Sequence, residues 1–146
     1  MNQYFEYAHP EAQTARGIQR LLPAQQELVG NARDGIITQV NDRCRFLEQA
    51  IFTAEEFVVI WQLVTAWPAA VSYIELLSVL EGVDLRDEAE RLSNARQRNA
   101  LQQVLEPIFE VIRDCEERLR LFDLEAVPVR DFGYKVHRSG TTRHSP

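Results

Sequence analysis

Eighteen consecutive residues, Phe57 to Ile74, carry no formal charge, and this run constrains the chain more than any other feature. Eighteen residues is the lower limit for crossing a hydrocarbon layer of about 30 Å. Gln62, Thr65, Pro68 and Ser72 interrupt the run, however, acidic residues flank it, and no cluster of Lys or Arg stands beside it to set an orientation. No membrane span is expected. A helix apolar on nearly every side is then a central helix that other helices must cover. Two further long helices would cover two of its sides, so a second copy of the chain is expected to cover the rest. Phe57, Trp61, Val64 and Trp67 are the expected interface of that homodimer.

The boundaries of this segment are written in local signals. Thr53 followed by Glu56 has the spacing of a capping box and opens a helix, while Gly82 suits a left-handed cap at its far end. Pro68 must kink that helix or begin a new one. Asp84 caps the next segment, with Asp87 and Glu88 in its first turn. Residues 86–100 hold only Ala89, Leu92, Ala95 and Ala100 as apolar contacts, which predicts an exposed helix. Leu101, Leu105, Ile108, Ile112, Cys115, Leu119 and Phe122 then step by four and three, a heptad stripe that predicts packing against one long neighbour, with Pro107 bending or restarting the helix.

Upstream, a stripe through Ile18, Leu22, Val29, Ala32, Ile36, Val40, Cys44, Leu47 and Ile51 predicts a helix over residues 24–52, opened by Pro23 and weakened by Gly30 and Gly35. The expected fold is an all-α, up-and-down helical bundle with a long central apolar helix and an extended N-terminal arm. Residues 1–125 form the single bundle domain, and residues 126–146 a basic, extended C-terminal tail.

Composition narrows the class. A chain of 146 residues that is 45% hydrophobic, with a net charge of −6, can bury a real core without disulfides or metals, which excludes both a stapled miniprotein and wholesale disorder. Its two cysteines, Cys44 and Cys115, form no CxxC, and the N-terminus has neither the basic nor the apolar region of a secretory leader; a reduced, cytoplasmic setting is expected. Charge is unevenly spread. No Lys or Arg lies between Phe46 and Leu85, whereas Arg130, Lys135, Arg138 and Arg143 crowd the end of the chain. Arg130, Phe132, Tyr134, Lys135 and Arg138 are therefore the candidate partner-binding residues, combining cations with aromatic faces.

Catalytic and cofactor chemistry find little footing. His9, His137 and His144 lie near the ends, no ExxH or HExxH spacing occurs, and no phosphate-cradling glycine loop is present. The carboxylates of Glu110, Asp114, Glu116 and Glu117 are interleaved with Arg113, Arg118 and Arg120, the pattern of surface ion pairing. Asp131-Phe132-Gly133 spells a kinase magnesium motif without the rest of a kinase. No catalytic residue, metal site or cofactor is assigned. The expected function is a non-enzymatic protein–protein interaction or regulatory module with an unidentified protein partner. A small enzyme with a carboxylate and Arg site inside the bundle is one alternative, and a nucleic-acid binder using the basic aromatic tail is the other. The overall acidity opposes the latter, because it repels a polyanion at long range.

Overall fold

The structure, a computed structural model, describes residues 26–138 apart from Asp42 and Cys44. The N-terminal arm and the stripe positions Ile18 and Leu22 lie outside the described residues, as do Cys44, His9, His144 and Arg143. Strands β1 (Gln26–Asn31), β2 (Ile36–Asn41) and β3 (Phe46–Ile51) come first, followed by helix α1 (Ala54–Ala66) and the two-residue strand β4 (Val71–Ser72). Helices α2 (Tyr73–Glu81), α3 (Leu85–Gln97) and α4 (Leu101–Arg120) follow, and a hairpin of β5 (Leu124–Val129) and β6 (Gly133–Arg138) closes the order. The strands form two antiparallel sheets, β1-β2-β3 and β4-β6-β5. Four helices and two sheets, with 29% of the described residues in strands, make the fold mixed α/β; the all-α helical bundle is overturned.

The helix expected over residues 24–52 is a three-stranded meander, and the reason is arithmetic. A four-residue step returns to one face of a helix of period 3.6, but it is also two full periods of a strand, so Ile36 and Val40 satisfy both. The turns decide. Asn31 Oδ1 accepts from the backbone N–H groups of Arg33 and Asp34 at 3.1 and 3.3 Å, and Asn41 Oδ1 accepts from those of Arg43 and Arg45, both at 2.9 Å. Each Asn side chain thus closes a hairpin by mimicking a backbone turn. The β-branched run Ile36-Ile37-Thr38 suits the strand between them.

From Thr53 onward the local signals hold. Glu56 N–H donates to Thr53 Oγ1 at 3.1 Å and Thr53 N–H donates to Glu56 Oε1 at 2.9 Å, completing the expected capping box. Pro68 lies in the turn after α1, which ends at Ala66, and the next helix starts only at Tyr73. Its own capping box, Ser72 with Glu75, sits in the sequence as S-x-x-E. Gly82 caps α2 in the left-handed region at φ 70°, and Asp84 Oδ1 accepts from Arg86 N–H at 2.9 Å to open α3. α4 runs through Pro107 as one element. Its stripe is buried at Leu105, Ile108, Ile112, Cys115 and Leu119, yet it packs on α1, α2, α3 and β5 instead of on one long helix.

The supposed C-terminal tail is largely structure. Leu124, Tyr134 and Val136 of the β5–β6 hairpin are buried in the core, and Tyr73, Phe109 and Tyr134 meet edge to face at centroid distances of 6.2–6.5 Å, tying the hairpin to α2 and α4. A domain boundary after residue 125 would cut through β5. Asp131-Phe132-Gly133 is here a turn: Asp131 adopts φ 57°, Phe132 N–H donates to the Val129 carbonyl at 3.0 Å, and a Cβ on Gly133 would stand 1.9 Å from the Val71 carbonyl oxygen.

The uncharged run is covered by the chain itself. Phe57, Trp61 and Val64 are buried and Trp67 is half-buried; the rings of Phe57 and Trp61 stack at 5.7 Å, and the Trp61 indole lies flat over Gly30 of the meander. With a sheet in the place of a covering helix, Phe57, Trp61 and Val64 of the four expected interface residues are buried within the chain. No described helix is long and apolar enough to cross a membrane.

Candidate functional site

Large apolar side chains reach solvent most densely on β3, where Phe46, Leu47 and Ile51 are 56%, 41% and 64% exposed. Among the described residues β3 pairs with β2 alone and so forms one edge of its sheet. Its position follows from the two Asn-closed turns, which bring the strand back beside β2 and project Arg43 and Arg45 from the exposed turn just before Phe46.

The edge is guarded in its backbone. Gln49 N–H donates to Glu48 Oε1 at 3.1 Å, and the Ile51 carbonyl accepts from Arg118 Nη1 at 2.9 Å. Side chains thus already occupy hydrogen-bonding positions that an added strand would need, a common protection of free edges. The apolar side chains remain open.

Arg118 is the joint between this edge and the helices. Its guanidinium grips the Glu56 carboxylate with two bonds, 2.7 and 3.0 Å, donates also to the Asp114 carbonyl at 2.8 Å, and lies 4.8 Å above the Phe52 ring. The hydrogen bond from Arg118 holds the Glu56 carboxyl below its ordinary range despite burial, and the same bond raises Arg118. A carboxylate and an Arg inside the helices are what the enzyme alternative requires, and here the Arg118 donors bond to the Ile51 and Asp114 carbonyls and to the Glu56 cap. Cys115, beneath them, is pushed up to about 12, first by burial and then by the Glu56 charge, and so stays a protonated thiol at neutral pH.

Of the candidate tail residues, Arg130, Phe132 and Lys135 are exposed, Arg138 is half-buried and Tyr134 is buried in the core. Phe132, with Asp131, borders a cleft of about 260 Å³ lined by Ser72, Tyr73 and Ile74 of the α2 start and by Ala89, Leu92, Ser93 and Arg96 of α3. His137 Nε2 stands 3.4 Å from Glu125 Oε2 across the hairpin.

A second ionic cluster lies at the α2–α3 corner. Glu88 is 1% exposed, with its Oε1 at 3.4 Å from Arg91 Nη1, which itself sits 2.6 Å from Glu81 Oε1, while Glu88 Oε2 has no partner. Burial raises the Glu88 carboxyl above the ordinary range, and Glu81 adds to the rise against the pull of Arg91. Among the described residues no group of three or more His, Cys, Asp or Glu side chains is placed to hold a metal ion. Comparison with protein families, with curated proteins and with solved structures found no match.

Sequence reasoning missed the β3 surface because it placed Phe46, Leu47 and Ile51 on a helix. The signals that could have found it are Asn31-Ala32-Arg33-Asp34-Gly35 and Asn41, turn formers spaced for a meander.

Proposed function

We propose that the chain is a non-enzymatic protein-interaction module whose partner docks on the apolar edge formed by Phe46, Leu47 and Ile51. The observation that carries this is the concentration of three large exposed apolar side chains in one six-residue edge strand, because contiguous exposed apolar surface marks association sites. With Glu48 and Arg118 occupying backbone positions of the edge, docking through side chains is favoured over strand addition. Arg43 and Arg45 beside Phe46 add a polar rim of the kind that surrounds apolar interface centres.

The test is affinity capture from native extract with the full chain and with the triple variant Phe46→Ser, Leu47→Ser, Ile51→Ser, checked for an unchanged circular dichroism spectrum. Partners held by the wild-type chain and lost by the variant support the reading, and self-association lost in the same way would make the partner a second copy. A partner set indifferent to the three changes overturns it.

One observation favours nucleic acid as a second reading. α2 and α3 are joined by only three residues, Gly82-Val83-Asp84, the connection of a helix-turn-helix pair, and the exposed residues of the later hairpin include Arg130 and Lys135. The warrant is fold-level analogy. The exposed face of α4 opposes it, because Glu110, Asp114, Glu116 and Glu117 outnumber Arg113 and Arg120 there. A salt-dependent mobility shift of labelled duplex or single strand at low ionic strength would favour this reading; its absence there would end it.

A further inference from the structure

The cleft between the β5–β6 turn and α3 is assembled from three parts, each fixed by its own contacts. The Ser72–Glu75 capping box sets the start of α2. Tyr73 N–H donates to the Phe132 carbonyl at 2.8 Å and Phe132 N–H donates to the Val129 carbonyl at 3.0 Å, so backbone bonds hold the turn against that start. Buried Leu92 seats α3, and the steps of three and four from Ala89 through Leu92 and Ser93 to Arg96 put one face of this helix on the cleft. At about 260 Å³ the space falls just below the roughly 300 Å³ at which pockets for drug-sized ligands begin, which suits a smaller molecule. Tyr73 and the exposed Phe132 give it aromatic surface, and Ala89 and Leu92 give it aliphatic surface.

Charge at the cleft is divided between its two sides. On the α3 side stands Arg96, whose side chain makes no ion pair or hydrogen bond among the described residues. On the hairpin side stands the Asp131 carboxylate, which has Arg130 Nε only at 4.0 Å. Burial raises the Tyr73 phenol above its ordinary value and the Asp131 charge adds to the rise, which places the negative end of the cleft beside that ring.

We propose that this cleft binds a small aromatic monocarboxylate, with the carboxylate on the Arg96 guanidinium and the ring on the apolar surface of Phe132, Tyr73 and Leu92. A guanidinium presents paired donors in a planar fork that matches a carboxylate, and an uncommitted one gives up no existing partner to do so. A ring laid on Phe132 removes apolar surface of both from water. Asp131 sets the charge of the ligand: one cation facing one anion favours a single negative charge held at the α3 side and disfavours a dianion such as a phosphate monoester. The site lies apart from the β3 edge and needs no protein partner.

The test is amide NMR of the full-length chain titrated with 2-naphthoate, with its neutral isostere 2-naphthamide and with 2-naphthyl phosphate. The naphthoate should shift the amide signals of Ser93, Arg96 and Phe132 to saturation with a Kd on the order of 1 mM, the affinity ordinary for a ligand of that size. The amide should bind about tenfold more weakly, because it forgoes the charge-assisted bond. Arg96→Gln, a change at an exposed position, should bring the acid down to the level of the amide, whereas Phe132→Ala should weaken acid and amide alike. Equal binding of acid and amide, or an Arg96→Gln chain that binds the acid as before, would overturn the carboxylate assignment. A phosphate ester bound more tightly than the acid would overturn the monoanion. Shifts confined to Phe46, Leu47 and Ile51, or none that saturate, would remove the cleft as a site altogether.

Discussion

Glu88 and Glu56 are two buried carboxylates with opposite fates, and one side chain makes the difference. Glu56 receives two guanidinium bonds from Arg118, so its ionised form is favoured in the fold. Its contribution is present above the ordinary Glu range and is lost as pH falls through its lowered pKa. Glu88 has a single long contact to Arg91, which Glu81 holds more closely, and one oxygen without a partner, so its ionised form is disfavoured. A carboxyl whose pKa is raised on folding binds its proton more tightly in the native state; stability is then greatest below the ordinary Glu range and declines as pH rises through the raised value. Glu88→Gln keeps the shape, removes the buried charge and supplies an N–H to Glu81. It should stabilise the protein at pH 7 by about 1 kcal/mol and flatten the decline between mildly acidic and neutral pH. Urea unfolding of both proteins at several pH values measures this; a Gln variant less stable at pH 7 would show that the carboxylate is better paired than its geometry indicates.

At the scale of elements, α4 and the hairpin carry sharp expectations. Leu105 and Ile112 are buried on the α4 stripe and Glu116 is exposed, so Leu105→Ala and Ile112→Ala should each cost about 2–5 kcal/mol while Glu116→Ala stays within about 0.5 kcal/mol. Chemical denaturation compares the three directly, and equal small effects would mean that α4 presents another face. Gly133 is fixed by approach rather than by dihedral: β4 crosses so near that a Cβ would overlap the Val71 carbonyl. Gly133→Ala should destabilise by at least about 2 kcal/mol, and hydrogen exchange should show faster opening of the β4-β6-β5 sheet than of the β1-β2-β3 meander. Slow exchange of β6 amides in a stable variant would show that β4 can simply move aside.

Across the whole molecule, the decisive contact is between the meander and α1. The Trp61 indole rests on Gly30, where an added Cβ would lie 2.8 Å from ring carbons, so the absence of a side chain at residue 30 is what lets sheet and helix close together. Gly30→Val favours the strand locally and should still cost about 1–3 kcal/mol, with a red shift of tryptophan emission as Trp61 lifts from the sheet. A stabilised variant with unshifted emission would mean that the two layers have slack. This contact also explains why the uncharged run needs no second subunit for Phe57, Trp61 and Val64: its cover is β1-β2-β3, the segment whose periodicity looked helical.

What the sequence determined by itself are features decided within one turn of chain. Thr53 and Glu56 reach each other, Gly82 turns left-handed, Asp84 meets the N–H of Arg86, and the α4 stripe repeats at a spacing only a helix aligns; no distant partner is needed for any of them. Tertiary structure decided what local spacing leaves degenerate. Four-residue steps fit strand and helix alike, so only pairing across Asn31 and Asn41 made residues 26–51 a sheet, and only its docking on Trp61 turned the outward side of β3 into an apolar edge. The same holds for Tyr134, which meets Tyr73 of α2 and Phe109 of α4 far along the chain, and for the buried Val136 on a strand that packs against α1; a side chain's own sequence neighbourhood does not say whether its aromatic or branched surface will find a core or a partner.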